Sequence, residues 1–244
     1  MNVYLNKISG IDDAIVSMYM SKRTWTRLLE CEIRATCNEL LSSKGEYLSK
    51  GEKFYPPGAI KRFQDYMDKL TKWGQEHITM LRFIEFSITV EGLHRAGQDD
   101  WDAHAMRYNN RIIRTSTRMS KFGNELSDYY KGKILPTDMA LEKLGIVIPD
   151  EFEEDGETWV KTTNGYVKKR YMADKDALRG LYMLSIPSNF VFKVNLTEWA
   201  HVYKERNTAG HAHPEVKECC EAIADALESA VPWFNRDLFT NIKN

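Results

Sequence analysis

Four arginines, Arg107, Arg111, Arg114 and Arg118, recur at spacings of four, three and four, interleaved with Asn109, Asn110, Ser116 and Ser120. On a helix these positions share one face, where like charges repel unless an anion neutralises them. Guanidinium forks match phosphate oxygens, and neighbouring hydroxyls complete an anion's shell. The pattern reads either as a solvated face or as a phosphate-binding one, and only the second does chemistry. Two more arginines stand apart. Arg179 lies among Leu178, Leu181 and Met183, and Arg206 ends a helical stretch just before Asn207-Thr208-Ala209-Gly210. An arginine held against apolar neighbours wants an anionic partner.

Other chemistries lack their residues. No stretch matches a P-loop or a dinucleotide fingerprint, and no Gly-x-Ser-x-Gly elbow is present. His211-Ala212-His213, with His201, Cys219 and Cys220 in reach, matches no metal-ligand spacing, so no metal is expected. A histidine at a helix start more often caps it or contacts an anion. The four cysteines, Cys31, Cys37, Cys219 and Cys220, are too few for a disulfide scaffold and form no Cys-x-x-Cys pair. They suit a reducing compartment.

The elements that must position these residues are legible in part. Leu28, Leu29, Ile33, Cys37, Leu40 and Leu41 form a helical stripe from Trp25, ended by Ser42-Ser43-Lys44-Gly45. A polar loop closed by Pro56-Pro57-Gly58 follows. Ile60, Phe63, Met67, Leu70 and Trp73 mark a second amphipathic helix, ending at Gly74. The period then falls to two: Ile84, Phe86, Ile88 and Val90 alternate with polar residues, the signature of a half-buried strand. After the acidic run Asp150 to Glu157, the arms Trp159 to Thr162 and Tyr166 to Lys168 flank Asn164-Gly165, a hairpin signal. Asp174 to Leu184 reads as a short helix, Phe190 to Val194 as a strand and Leu196 to Arg206 as a helix. Pro214, apt for a first helical position, opens a last helix running to Val231. Without repeats or a linker, residues 1–244 read as one α+β domain.

Composition sets the outer bounds. The 244 residues carry 34 Lys+Arg against 35 Asp+Glu, a net charge of −1, and are 43% hydrophobic. That mixture can bury a core, which excludes disorder as the main state. A chain without basic excess is not expected to bind polymeric nucleic acid or an anionic membrane. Residues 1–17 lack the apolar core of a signal peptide, and no stretch is long enough to cross a bilayer. A cytoplasmic protein is expected.

Ser116-Thr117-Arg118-Met119-Ser120-Lys121, followed by Arg179, Asn195, Arg206 and His211-Ala212-His213-Pro214-Glu215, resembles the flavin-dependent thymidylate synthases in order and separation. The likeness covers roughly Glu76 to Pro232. It implies an antiparallel sheet with surrounding helices: a helical N-terminal third (about 1–75), a nucleotide- and flavin-binding core (about 76–235) and a hairpin insertion (about 150–172). It also implies a homotetramer with FAD, NADPH and methylenetetrahydrofolate as co-substrates, and transfer of a methylene to C5 of dUMP. Such an enzyme needs no nucleophile of its own, so its work is placement and electrostatics. By the resemblance Ser116, Arg118 and Arg179 hold the nucleotide phosphate, with Arg114 on the same substrate side. Arg206 is the catalytic group, contacting the pyrimidine and stabilising negative charge as C5 becomes nucleophilic. His77, Arg107, Asn195 and His211 fall on the flavin side.

The chain departs from the family pattern at defined places. Met106-Arg107-Tyr108 stands where an Arg-His-Arg triplet opens the signature, so one of its cations survives. Leu93-His94-Arg95 echoes the triplet, but lies too far from Ser116 in sequence. Arg114 occupies an acid's place, Thr197 an arginine's and His213 a glutamine's. These changes leave two alternatives beside dUMP methylation. One is hydroxymethylation or a dCMP-type substrate; the other is a non-catalytic nucleotide-binding homologue that has lost FAD.

Overall fold

The computed structural model describes residues 1–40, 58–74, 77–103, 111–116, 125–162, 165–208, 212–231, 234 and 236. The loop expected over 42–57 lies outside them. The chain divides into two compact units, where the sequence read as one domain over 1–244. One unit comprises Met1, Glu91–Asp100 and Arg114–Phe190, and the other Asn2–Val90, Trp101–Ile113 and Val191–Asn244. Among the described residues no helix is long and apolar enough to cross a membrane.

The larger unit begins with a strand, β1 (Asn2–Ser9), and not with a helix. Within the third read as helical (about 1–75), this strand precedes three helices. Val3 and Leu5 turn inward between the exposed Asn2, Tyr4 and Asn6, a period of two that a short polar-rich stretch shows only weakly. Gly10 turns the chain into α1 (Ile11–Ser21) at φ 80°, where a Cβ would stand 1.9 Å from the Phe83 carbonyl oxygen; only glycine fits. Helices α2 (Arg27–Leu40) and α3 (Ala59–Gly74) form where the two stripes were predicted and bury Ile33, Cys37, Phe63, Met67 and Leu70, while Leu28 of the first stripe faces solvent. Strand β2 (Glu85–His94) carries the predicted alternation, with Phe86, Ile88 and Val90 buried.

A four-stranded sheet runs in the order β1-β2-β7-β3, where β3 is Arg111–Arg114 and β7 is Pro187–Asn195. Asn6 Nδ2 donates to Thr89 Oγ1 at 2.9 Å across β1 and β2. Strand β3 takes Arg111 and Arg114 out of the helical face, while Arg107 and Arg118 lie outside the described residues. The β-branched pair Ile112-Ile113 favours an extended backbone, and strand residues three apart fall on opposite faces. Helix α4 (Arg95–Ala103) follows β2. Its Trp101, wholly buried, stacks at 6.1 Å on Trp199 of α7 (Leu196–Tyr203), and Phe86 meets Trp199 edge-on at 6.0 Å. Burying aromatics of this size contributes about 2–3 kcal/mol each, and the paired geometry about 1 kcal/mol more. Helix α8 (Pro214–Ala230) starts at the predicted proline and buries Val216, Cys220, Ile223 and Leu227.

In the smaller unit most of the acidic run is built into a sheet. Glu151–Glu154 forms β4, pairing antiparallel with β5 (Glu157–Thr162), which pairs with β6 (Gly165–Lys168). Phe152 lies parallel to Trp159 at 6.1 Å and meets Tyr166 edge-on at 4.9 Å, so one apolar residue anchors the acidic strand. Helix α5 spans Thr137–Lys143. The helix expected over 174–184 shortens to α6 (Lys175–Arg179): Asp174 Oδ1 accepts the Ala177 N–H at its start, and Gly180 follows its end. The α+β class read from the sequence is the class observed.

Candidate functional site

In the larger unit the candidate residues are organised around α7. Asn195 caps it: Asn195 Oδ1 accepts the Glu198 N–H at 3.0 Å and the Thr197 hydroxyl at 2.7 Å, all three residues being buried. At the other end the helix widens into a π-helical segment, Lys204–Thr208, which carries Arg206. Such segments strain the backbone, persist only where contacts impose them and often mark functional positions. Here the contacts come from α8. Glu221 Oε1 accepts the Tyr203 hydroxyl at 3.0 Å and a close hydrogen bond from Asn207 Nδ2, and Glu221 Oε2 accepts Arg236 Nε at 3.1 Å. Arg236 also bridges Asp225 and Glu228. Arg206 is thus held between two anchored neighbours.

The charge of Arg206 reaches the α8 face. Burial pushes the Cys220 thiol well above its ordinary range, and the nearby Arg206 guanidinium partly offsets this. Burial raises Cys219 likewise, with the adjacent Cys220 adding to the effect. Neither thiol is therefore a thiolate near neutrality, which fits chemistry without a cysteine nucleophile. His213 caps α8, its Nδ1 accepting the Glu215 N–H at 3.2 Å, the capping role expected of a histidine at a helix start.

His77 lies just beyond α3, exposed, with its ring 4.5 Å from that of Trp73. Lys22 Nζ sits 4.1 Å over the Trp73 ring, and the buried Trp73 Nε1–H has no hydrogen-bond acceptor among the described residues.

In the smaller unit Arg114, expected on the substrate side, is ion-paired with Asp99, a carboxylate of its own chain. Ser116, two residues on, is exposed. Arg179 ends α6, and its side chain lies outside the description, as do Arg107, Arg118 and His211. Leu93-His94-Arg95, distant from Ser116 in sequence, comes near it in the fold. Arg95 Nη1 donates to the Thr115 carbonyl at 3.4 Å, which sets the Leu93-His94-Arg95 echo beside the Ser116 segment. Among the residues holding these positions, Thr115, Asn189, Tyr203 and Glu221 carry no local motif. The echo of the family triplet at Leu93-His94-Arg95 was the one sequence signal pointing to Arg95.

Two solved structures of the flavin-dependent thymidylate synthase ThyX from Helicobacter pylori, both with FAD and dUMP, share this fold. The first superposes with a TM-score of 0.56 at 12% identity over all of both chains. The second gives 0.55 at 12% identity over 98% of this chain and all of that one. Comparison with curated proteins gives no match. The family profile described as thymidylate synthase complementing protein matches residues 21–233, from the end of α1 past the end of α8, and the chain belongs to that family.

Proposed function

We propose that this protein is a flavin- and folate-dependent enzyme that methylates C5 of a pyrimidine deoxynucleotide, converting dUMP to dTMP. The match of the family profile over residues 21–233 carries this reading. The FAD and dUMP held by the two Helicobacter pylori structures support it. Ser116, Arg118 and Arg179 would take the nucleotide phosphate by charge-assisted hydrogen bonds, with Arg114 on the same side. Arg206 would face the pyrimidine, where its fixed positive charge stabilises the electron density that develops as C5 attacks the one-carbon unit. The anchoring of Tyr203 and Asn207 on Glu221 would keep that charge from reorganising during the reaction.

His77, Arg107, Asn195 and His211 would hold FAD. Bound FAD would pass on hydride from NADPH, while methylenetetrahydrofolate supplies the carbon. A homotetramer in the cytoplasm completes the proposal.

The test begins with absorbance: purified protein, or protein titrated with FAD, shows a bound-flavin spectrum. It continues with dUMP, methylenetetrahydrofolate and NADPH, followed by mass spectrometry of the nucleotide. A net mass gain of one CH2, the C5 hydrogen replaced by a methyl group, supports the reading. A hydroxymethyl product, or turnover of dCMP in its place, supports the altered chemistry suggested by Arg114 and the reduced triplet. Binding of dUMP with no uptake of FAD marks a non-catalytic homologue and overturns the enzyme.

A further inference from the structure

Thr115 stands immediately before Ser116, and every polar atom it carries is engaged within the smaller unit. Its N–H donates to the Asn189 carbonyl at 2.9 Å. Its hydroxyl donates to the same carbonyl at 3.1 Å and accepts the Asn189 N–H at 3.3 Å. Its own carbonyl accepts Arg95 Nη1 at 3.4 Å. The partners are fixed in turn. Asn189 Oδ1 accepts the Gly92 N–H at 3.0 Å, and the wholly buried Gln98 donates to the Leu93 carbonyl at 3.2 Å while accepting Arg95 Nη1 at 3.4 Å. On the other side, Arg114 is tied to Asp99. The chain is therefore pinned through Thr115, and the next residue, Ser116, is exposed.

We propose that Thr115 is a positioning residue, clamped by Asn189 and Arg95, that presents Ser116 to the phosphate of the nucleotide. This rests on the reading of Ser116 as a phosphate contact. Fixing a residue's backbone costs conformational entropy, and a segment ordered before the ligand arrives spares binding that cost. A strand end needs only the backbone pairing. The Thr115 hydroxyl bonds both backbone groups of Asn189, which ties the residue down beyond what pairing supplies.

The experiment measures dUMP and deoxyuridine binding by calorimetry and competition for the wild type, Thr115→Val, Thr115→Ala, Thr115→Ser and Ser116→Ala. Val keeps the β-branched shape and both backbone bonds while removing the hydroxyl, and Ala removes it without overpacking. Both are expected to weaken dUMP about tenfold, the scale of one lost hydrogen bond and its ordering. Deoxyuridine, which has no phosphate, should bind the variants as it binds the wild type, and Thr115→Ser should restore dUMP affinity.

If Val and Ala bind dUMP normally while Ser116→Ala is weakened, the positioning role is overturned and the Ser116 contact stands. If they lose dUMP and deoxyuridine equally, Thr115 is merely structural and the proposal fails. If Ser116→Ala binds dUMP as the wild type does, the phosphate reading of Ser116 fails and this proposal falls with it.

Discussion

The Thr197 hydroxyl donates to Asn195 Oδ1 at 2.7 Å, beside the cap bond from the Glu198 N–H at 3.0 Å. One buried carboxamide oxygen thus starts the helix that leads to Arg206. Asn195→Ala is expected to lower unfolding free energy by about 1–2 kcal/mol, measured in urea. Asn195→Asp keeps the capping oxygen but loses the carboxamide NH2. A flavin contact through that NH2 predicts weaker FAD binding at unchanged stability. Equal FAD affinity would leave Asn195 with the cap alone.

Glu221 gathers Tyr203, Asn207 and Arg236 around the π-helical segment. Glu221→Ala should cost about 1 kcal/mol of stability, the scale of a hydrogen bond to a partly exposed carboxylate. Turnover should fall by more than that loss of stability implies, because Arg206 sits between two of the released residues. A double-mutant cycle with Asn207→Ala reads the coupling, and strict additivity in turnover would refute the anchoring role.

Three of the four cysteines are buried, and Cys31 is exposed. Burial pushes the Cys37 thiol up to about 12 and holds Cys219 and Cys220 above their ordinary range. Iodoacetamide at neutral pH should label native protein once, at Cys31, and all four sites after unfolding. Cys31→Ser should turn over as the wild type does. Rapid labelling of Cys219 or Cys220 in native protein would contradict the packing of α8.

Glu30 binds the α1–α2 region through charge. The Arg34 guanidinium, donating at 3.1 Å, lowers its carboxyl below the ordinary 4.5; burial opposes this, while Arg27 and the Trp25 indole N–H assist. A carboxyl lowered in the folded state adds stability that is present above 4.5 and lost as pH falls through the folded value. Glu30→Gln should therefore be less stable than the wild type at neutral pH, and the gap should close below pH 4.5. A gap that widens on acidification would refute the assignment. Denaturant melts across the acid range provide the measurement.

Much of the scaffold was legible because periodicity reports local burial. The stripes of α2, α3 and α8, the alternation in β2 and the turn residues between β5 and β6 each announce which face meets the core. The ordered residues from Ser116 to His213 were enough to suggest the family. The arginine series misled because spacing alone presumes a helix, whereas the Ile112-Ile113 pair draws that stretch into a strand. The acidic run carried no sign of its pairing, because its contact with the sheet comes through one residue, Phe152.

What only the tertiary structure decided are the partners far away in the chain. Arg95 reaches Thr115 across 20 residues, and Asn189 reaches it across 74. No local pattern encodes such a pair, since a hydrogen bond depends on where two strands and a helix bring their atoms. The same holds for Arg114, whose type suggested an anion from outside and whose fold supplied Asp99. Sequence chose the residue types that chemistry with a phosphate needs. Packing determined which of them are held in place, and by what.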